Sequence, residues 1–387
     1  MDKLGIYLLL SLSPCPRSGT RAPVTPHVDS SNLKVRPVSK RTKAPDLQVN
    51  VETYGGGVWH SWLDRDLSLA GRVVIREGTG AFISRLITID RPILRIPTLA
   101  IHRAFNQGTE FVPILGLIEF ESNATPTKAE PAGPVEVMAS SIQENHHPAL
   151  LSLITSELSI APEEIHDFEL SLYDTQPAVL GGLNSEFIFS PRMDNLVCLF
   201  CAAEVLAELT SAIGSVSTSG AESSLIPSLL NRLSPTPASL AQSIARSFLI
   251  SADMGHALHH PNYTNKHEEN HKPWMNDGIV IKTNAKQRYA TDAILTFSVK
   301  QLVERKGGRV QELEIRNDMC VFGYLLGSTV GLMLSKIDIR TVDVGNSMLS
   351  MYSIRETAGS HDVQSAIDLF AVFSEGLSTL DKTLTVD

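Results

Sequence analysis

Strand-like and helix-like segments alternate through the second half of this chain, which predicts an α/β protein with a central mixed sheet flanked by helices. A second observation adds a β-rich unit: from Val51 to about Ile118, β patterns are broken repeatedly by glycine. A third concerns size. With 387 residues, 43% of them hydrophobic and 19% charged, the chain can bury a real core and fill two domains of ordinary size, as a soluble globular protein does.

The N-terminal stretch "MDKLGIYLLLSLSPCPRSG" has a lysine followed by a short apolar run and superficially resembles a signal peptide. The run is about ten residues, too short to span a bilayer, and no disulfide framework follows it. No other segment approaches transmembrane length, so neither secretion nor membrane insertion is expected. The next 30 residues, rich in Pro, Ser and basic side chains, read as loops around one short strand. "AGRVVIREG" and "AFISRLITID" read as strands of the β unit. Residues 121–147 are polar and read as an exposed loop. "PALLSLITSELSI" has helical period, and "APEEI" begins another short helix.

Beyond this point strands and helices alternate. "EFIFS", "SFLISAD", "IVIKT" and "DIRTVDVG" are strand-like; "LVCLFCAAEVLAEL", "SLIPSLLNRL" and "ATDAILTFSVKQLVERK" are helical. A net charge of −9 with no basic stripe argues against nucleic acid as a partner. The cysteines are Cys15, Cys198, Cys201 and Cys320. Cys198 and Cys201 form a C-x-x-C inside an apolar helical run, which reads as buried free thiols in a reducing compartment.

One motif demands a decision. His267, Glu268 and His271 spell H-E-x-x-H, which on a stable helix would set two imidazoles against one zinc. Here prolines and asparagines crowd both sides and no apolar face exists to dock such a helix. A zincin is therefore not expected. The surrounding His256, His259, His260, His267 and His271, following Asp253, fit either a polar surface loop or a site at the carboxyl end of a strand.

Longer words then accumulate in order: "HVDSSNLKV", "VETYGGGVWHSWLDRDLSLAGRV", "RPILRIPTLAIH", "DTQPAVLGG", "EFIFSPRMDNL", "SADMGHALHHPNY", "ENHKP", "KQRYATDA", "RND" and "SIRE". From about residue 25 to the C-terminus the chain resembles the aspartyl aminopeptidases, a family of di-zinc exopeptidases that remove N-terminal Asp or Glu from peptides. The family's usual N-terminal portion is absent or replaced. The resemblance implies a discontinuous catalytic domain, 1–50 and 166–387, interrupted by a β-rich dimerisation domain at 51–165. It also implies assembly into a homo-oligomer, a dodecamer in the family, and a cytoplasmic location, with the vacuole or lysosome as the alternative.

The resemblance further implies roles for single residues. His27 matches a zinc-binding histidine and Asp29 the acid that orients it. Asp194 matches the aspartate that bridges the two zinc ions, and Asp253 another ligand of the first zinc. His102 matches a histidine that reaches a neighbouring subunit's active site. His256 matches a histidine near the active site, and Lys282 a lysine of the substrate pocket, where a cation suits an acidic side chain. "ENHKP" belongs to the family's words, so the H-E-x-x-H is coincidental.

The second zinc site departs from the family. The Glu-Glu pair that supplies the general base and a ligand is missing where "AAEVLAELTSA" runs into "IGSVSTSGAESS". Glu204 and Glu208 lie upstream on the preceding helix and are poor substitutes. In "LSMYSIRE", Tyr352 stands where the family has a ligand histidine, and a phenol is a poor zinc ligand at neutral pH. After "RND", an apolar stretch around Val321–Leu325 disturbs a family turn. The chain is thus expected to hold at most one zinc well and to hydrolyse little. A catalytically inactive paralogue, serving as a non-catalytic subunit or peptide-binding shell, is the competing expectation. Two origins fit these departures: skipped coding sequence at Ala212, or a divergent member of the family.

Overall fold

The computed structural model describes residues 24–41, 46–78, 80–98, 106, 111–117, 141–205, 220, 222–234, 236–258, 267–268, 270–285, 287–314 and 329–385. His102, His259, His260, Glu208, Cys15, Cys320 and the junction at Ala212 lie outside these residues. The chain forms two compact units, one of Met1–Ser30 with Ala178–Asp387, the other of Ser31–Pro177.

The first unit opens with β1 (Val24–Thr25). The second unit follows. Strands β2 (Asn32–Arg41), β3 (Asp46–Tyr54), β4 (Leu67–Arg76), β5 (Phe82–Thr88), β6 (Ile114–Leu117) and, after two helices, β7 (Ile165–Asp174) form a six-stranded sheet in the order β5-β4-β7-β2-β3-β6. Every pair in it is antiparallel. The helices are α1 (Ile142–Asn145), inside the stretch expected to be loop, and α2 (Pro148–Leu158). Pro148 at the first helical position and the His147 ring, which accepts the Ala149 N–H, fix the start of α2. Its buried Leu150, Leu151 and Ile154 recur at helical spacing.

The border between units differs from the sequence expectation of 50/51 and 165/166. It falls at Ser30/Ser31 and Pro177/Ala178 because β2 pairs with β3, and β7 pairs along its length with β4. Both flanking strands therefore spend their hydrogen bonds within the six-stranded sheet. The β4–β7 pairing sets Leu67 opposite Asp174, far along the chain, which a local pattern does not reveal.

The first unit resumes with β8 (Val179–Gly181), β9 (Phe187–Ser190), α3 (Met193–Glu204), α4 (Leu225–Leu233), α5 (Pro237–Ala245), β10 (Phe248–Ala252), β11 (Gly255–His256), β12 (Ile279–Thr283), α6 (Ala293–Arg305), β13 (Val310–Glu314), α7 (Thr329–Ser335), β14 (Arg340–Gly345), β15 (Ser347–Leu349), β16 (Glu356–Gly359) and α8 (Asp362–Asp381). Its main sheet has the order β1-β10-β14-β12-β13, with β12 antiparallel to β14 and the other neighbours parallel. This is the mixed sheet of an α/β protein. A smaller sheet has the order β11-β15-β16-β9-β8.

Strands buried on both faces read as continuous apolar runs: all of Phe248–Ala252 is buried, and so is Ile279–Lys282. Against them α8 presents Ala366, Leu369, Phe370, Phe373, Leu377 and Leu380 at helical spacing, and α6 presents Leu295, Val299, Leu302 and Val303. Phe373 meets Phe248 edge to face with ring centroids 5.1 Å apart. Asp292 caps α6 by accepting the Leu295 N–H at 2.8 Å. Cys198 and Cys201 are buried free thiols on α3, as their apolar context implies. Among the described residues, no helix is long and apolar enough to cross a membrane.

Candidate metal centre

Parallel pairing assembles the site. Val24 lies opposite Ile250 and Thr25 opposite Ser251, so the chain leaving β1 carries His27 and Asp29 to the sheet end where β10 delivers Asp253. That end is the carboxyl end of both strands, where open α/β sheets gather ligands. Asp194 arrives from the start of α3, directly after β9. One imidazole nitrogen of His27 and one carboxylate oxygen from each of Asp194 and Asp253 all lie within 4.8 Å of one another.

The two nitrogens of His27 have different tasks. Nδ1 lies 2.9 Å from the backbone carbonyl of Asp29, to which it donates, and 3.3 Å from its carboxylate. Nε2 is thereby turned toward Asp253 Oδ1 at 3.2 Å and Asp194 Oδ1 at 3.4 Å. Burial pulls the imidazole pKa down, but contacts with Asp194, Asp253 and Asp29 outweigh it and raise the pKa well above its ordinary value. A proton on Nε2 therefore stands between two carboxylates, in the place a dication would take.

Asp194 is held by its backbone. Its N–H donates to Glu356 Oε2 at 2.9 Å, and its carbonyl accepts the Ser30 hydroxyl at 2.7 Å. The next residue, Asn195, donates its amide to the Ala252 carbonyl at 2.6 Å. Asp194 Oδ1 is buried and makes no hydrogen bond, its contact with His27 Nε2 at 3.4 Å being an ion pair only. Burial and the nearby Asp253 charge push the Asp194 pKa up to about 6, against attraction from His27.

Asp253 behaves oppositely. Burial would raise its pKa, but the Lys282 ammonium and His27 hold the carboxyl well below the usual range. Lys282 Nζ lies 3.5 Å from Asp253 Oδ2 and donates to the Met254 carbonyl at 2.7 Å. It is only 2% exposed, and its ammonium sits 5.7 Å from the centre of the Tyr289 ring. Gly345, at the end of β14, gives Asp253 room: a Cβ there would meet the Asp253 carbonyl oxygen at 1.6 Å. His256, on β11, has its pKa lowered to about 4 by burial, with Lys282 and His267 adding to the effect, so it is neutral at physiological pH.

Tyr352 packs at the edge of the core with a left-handed backbone, φ +64°, and its N–H donates to Glu356 Oε1 at 2.9 Å. Burial, then the charges of Asp194 and Asp253, raise its phenol pKa far above the ordinary value, so the oxygen stays protonated. Glu356 is the residue the sequence reading missed. One oxygen accepts from Asp194 and the other from Tyr352, and burial pushes its pKa up to about 8. Its only sequence signal was its place as the acid of "SIRE". Glu204 is exposed at the end of α3 and belongs to no metal-binding group among the described residues.

The H-E-x-x-H motif is not helical. His267 forms an isolated bridge and Glu268 lies in irregular backbone, so the two histidines do not share a helix face. His271 instead gathers with Glu268 and Glu314 in a second group, separate from His27.

Comparison with known proteins places this arrangement in context. The model of the Aminopeptidase I zinc metalloprotease (M18) family matches residues 17–374. The aspartyl aminopeptidase of Aspergillus oryzae is 42% identical over 93% of this chain and 82% of its own length. Aspartyl aminopeptidase 4 of Saccharomyces cerevisiae is 41% identical over 93% of this chain and 80% of its own. Among solved structures, the Ape4 and Nbr1 complex matches with a TM-score of 0.86 at 40% identity, covering 96% of this chain and 74% of that one. The S. cerevisiae mApe1 dodecamer matches with a TM-score of 0.79 at 27% identity, covering 95% and 82%.

Proposed function

The chain belongs to the Aminopeptidase I zinc metalloprotease (M18) family, and from that premise we propose that it is directed at peptides with N-terminal Asp or Glu through a site holding one zinc ion. The observation that carries this reading is the pair of carboxylates aimed at His27 Nε2, with Asp194 Oδ1 buried and unbonded. One imidazole and two carboxylates are a fitting donor set for zinc. His27, Asp194 and Asp253 are its ligands in this reading. Asp29 fixes the tautomer of His27, and Glu356 with Ser30 fixes the backbone of Asp194.

When bound, zinc supplies a Lewis acid that polarises a carbonyl and acidifies water. The protein's own groups supply the rest unevenly. Asp253 stays ionised beside Lys282, and Asp194 can shed its proton near neutrality. A general base must be free and unprotonated near pH 7. Glu356 does not qualify, because both oxygens already accept backbone N–H groups and its pKa is pushed up to about 8. Tyr352, protonated and half-buried, does not supply a second-zinc ligand in this reading. Turnover is accordingly low, and a non-catalytic subunit or peptide-binding shell is the second reading, favoured by Tyr352.

Lys282 is assigned to the acidic side chain of the substrate. Its contacts with Asp253 and Met254 give it a further task, fixing a metal ligand. His102, outside the described residues, is assigned to a neighbouring subunit's site, and His256 to the pocket wall. We assign dimerisation to the Ser31–Pro177 unit and a homo-oligomer to the whole, as in the mApe1 dodecamer. A cytoplasmic location accords with the buried free thiols.

The test is zinc stoichiometry together with turnover of a chromogenic aspartyl amide. The proposal expects zinc bound at this site and lost on His27→Ala, with turnover far below that of a relative carrying the Glu-Glu pair. Zinc retained undiminished by His27→Ala would overturn it. Full turnover would overturn the loss of the base.

A further inference from the structure

Two residues of the H-E-x-x-H motif, Glu268 and His271, still converge on metal-binding chemistry. His271 Nδ1 lies 3.0 Å from Glu314 Oε2 and 3.3 Å from Glu268 Oε2, and its Nε2 lies 3.7 Å from Glu312 Oε2. Three carboxylates thus surround one imidazole. Two come from β13, where alternation sends Glu312 and Glu314 to one face of the edge strand while Leu313 is buried on the other. Glu268 and His271 come from the loop ahead of β12.

Elsewhere in that loop, main-chain bonding fixes the approach. The Trp274 N–H donates to Gln311 Oε1 at 2.7 Å, and Gln311 Nε2 donates to the Trp274 carbonyl at 2.9 Å. The loop is therefore tied to β13 beside the donors, and their convergence costs little further ordering. Glu312 also forms an ion pair with Lys300 and lines a cavity of about 600 Å³ with Thr283, Asn284, Thr291 and Asp292. The donor atoms are half-exposed, so an ion can enter without the protein opening.

We propose that Glu268, His271 and Glu314 bind a second type of divalent cation of the zinc–manganese class through Nδ1 of His271. A nitrogen donor combined with carboxylates selects a borderline transition metal over calcium or magnesium, whose sites are built from oxygen alone. The ion ties Glu268 and His271 to Glu314 of β13. This site shares no residue with the His27 centre, and the inference does not rest on the function proposed for that centre.

The test uses the full chain, stripped with chelator and dialysed against ZnCl2 or MnCl2. His27→Ala combined with Asp253→Asn removes the other centre. In that background one equivalent of ion remains, and Glu314→Gln or His271→Ala weakens its retention at least about tenfold. X-ray absorption at the zinc edge detects imidazole scattering that disappears with His271→Ala. If the background does not fold, the same subtraction is read from the wild-type chain: Glu314→Gln lowers total stoichiometry by one equivalent while His27-dependent zinc stays. Glu304→Gln, an exposed acid on α6, leaves retention unchanged. Undiminished retention after Glu314→Gln and His271→Ala, in protein folded by circular dichroism, overturns the proposal, as does a background that retains no ion.

Discussion

Replacing Asp194 by Asn isolates what the proposed metal centre demands of the fold. The carboxyl is 3% exposed on its side chain, and its pKa stands at about 6 against an ordinary 3.8. A difference of about 2 units, at about 1.4 kcal/mol each, makes the ionised form cost about 3 kcal/mol of stability. The attraction of His27 is already contained in that figure, because it lowers the same pKa. The sign is that of a raised acid. Between about pH 4 and 6 the folded state binds more protons than the unfolded chain, so stability falls as pH rises through that window. At pH 7 the full penalty is present. Asn carries no charge and escapes it. In chelator at pH 7, Asp194→Asn should therefore melt roughly 4–6 °C above wild type by circular dichroism, and the two should converge below pH 4. Zinc at a thousand times its Kd should reverse the order, since it then contributes about 4.1 kcal/mol to a protein that can bind it. A variant no more stable than wild type at pH 7 in chelator would refute the assignment of the penalty to this carboxylate.

Gly345→Ala should cost more than about 3 kcal/mol and remove zinc together, because its Cβ would stand 1.6 Å from the Asp253 carbonyl oxygen; zinc titration and thermal melting check this, and an undisturbed titration would contradict the close approach. His146, buried with its Nδ1 2.8 Å from the Ser39 hydroxyl, has a pKa lowered to about 4 by burial. Its neutral form contributes stability above pH 6.5 that is lost as pH falls toward 4, about 3 kcal/mol in all. His146→Asn should flatten that acid limb in urea titrations of the Ser31–Pro177 unit's signal, and an unchanged limb would assign the sensitivity elsewhere.

How much of this was legible depended on distance along the chain. The strand-like "SFLISAD" and "IVIKT" became β10 and β12, since continuous apolar runs mark strands covered on both faces. His27, Asp194 and Asp253 were picked out by resemblance, and their convergence required pairing between residues 226 positions apart, which no local pattern encodes. Glu356 went unread because its work is done on backbone N–H groups of other segments. The unit border moved for the same reason: β2 and β7 look like ordinary strands until their partners are known. "HEENH" shows the opposite failure, in which a correctly spaced motif lies on backbone that never becomes helical.

The proton between His27 and its two carboxylates gives metal loading the character of an exchange reaction. Without metal, the raised pKa of His27 and the Lys282 ammonium place positive charge beside the two carboxylates. Zinc held at the proposed site would have to displace the imidazole proton, so its uptake would acidify the medium. At neutral pH the exchange would run toward metal. In an acidic lumen the same residues would keep their protons and release zinc, so the surrounding pH would decide whether the shell is loaded.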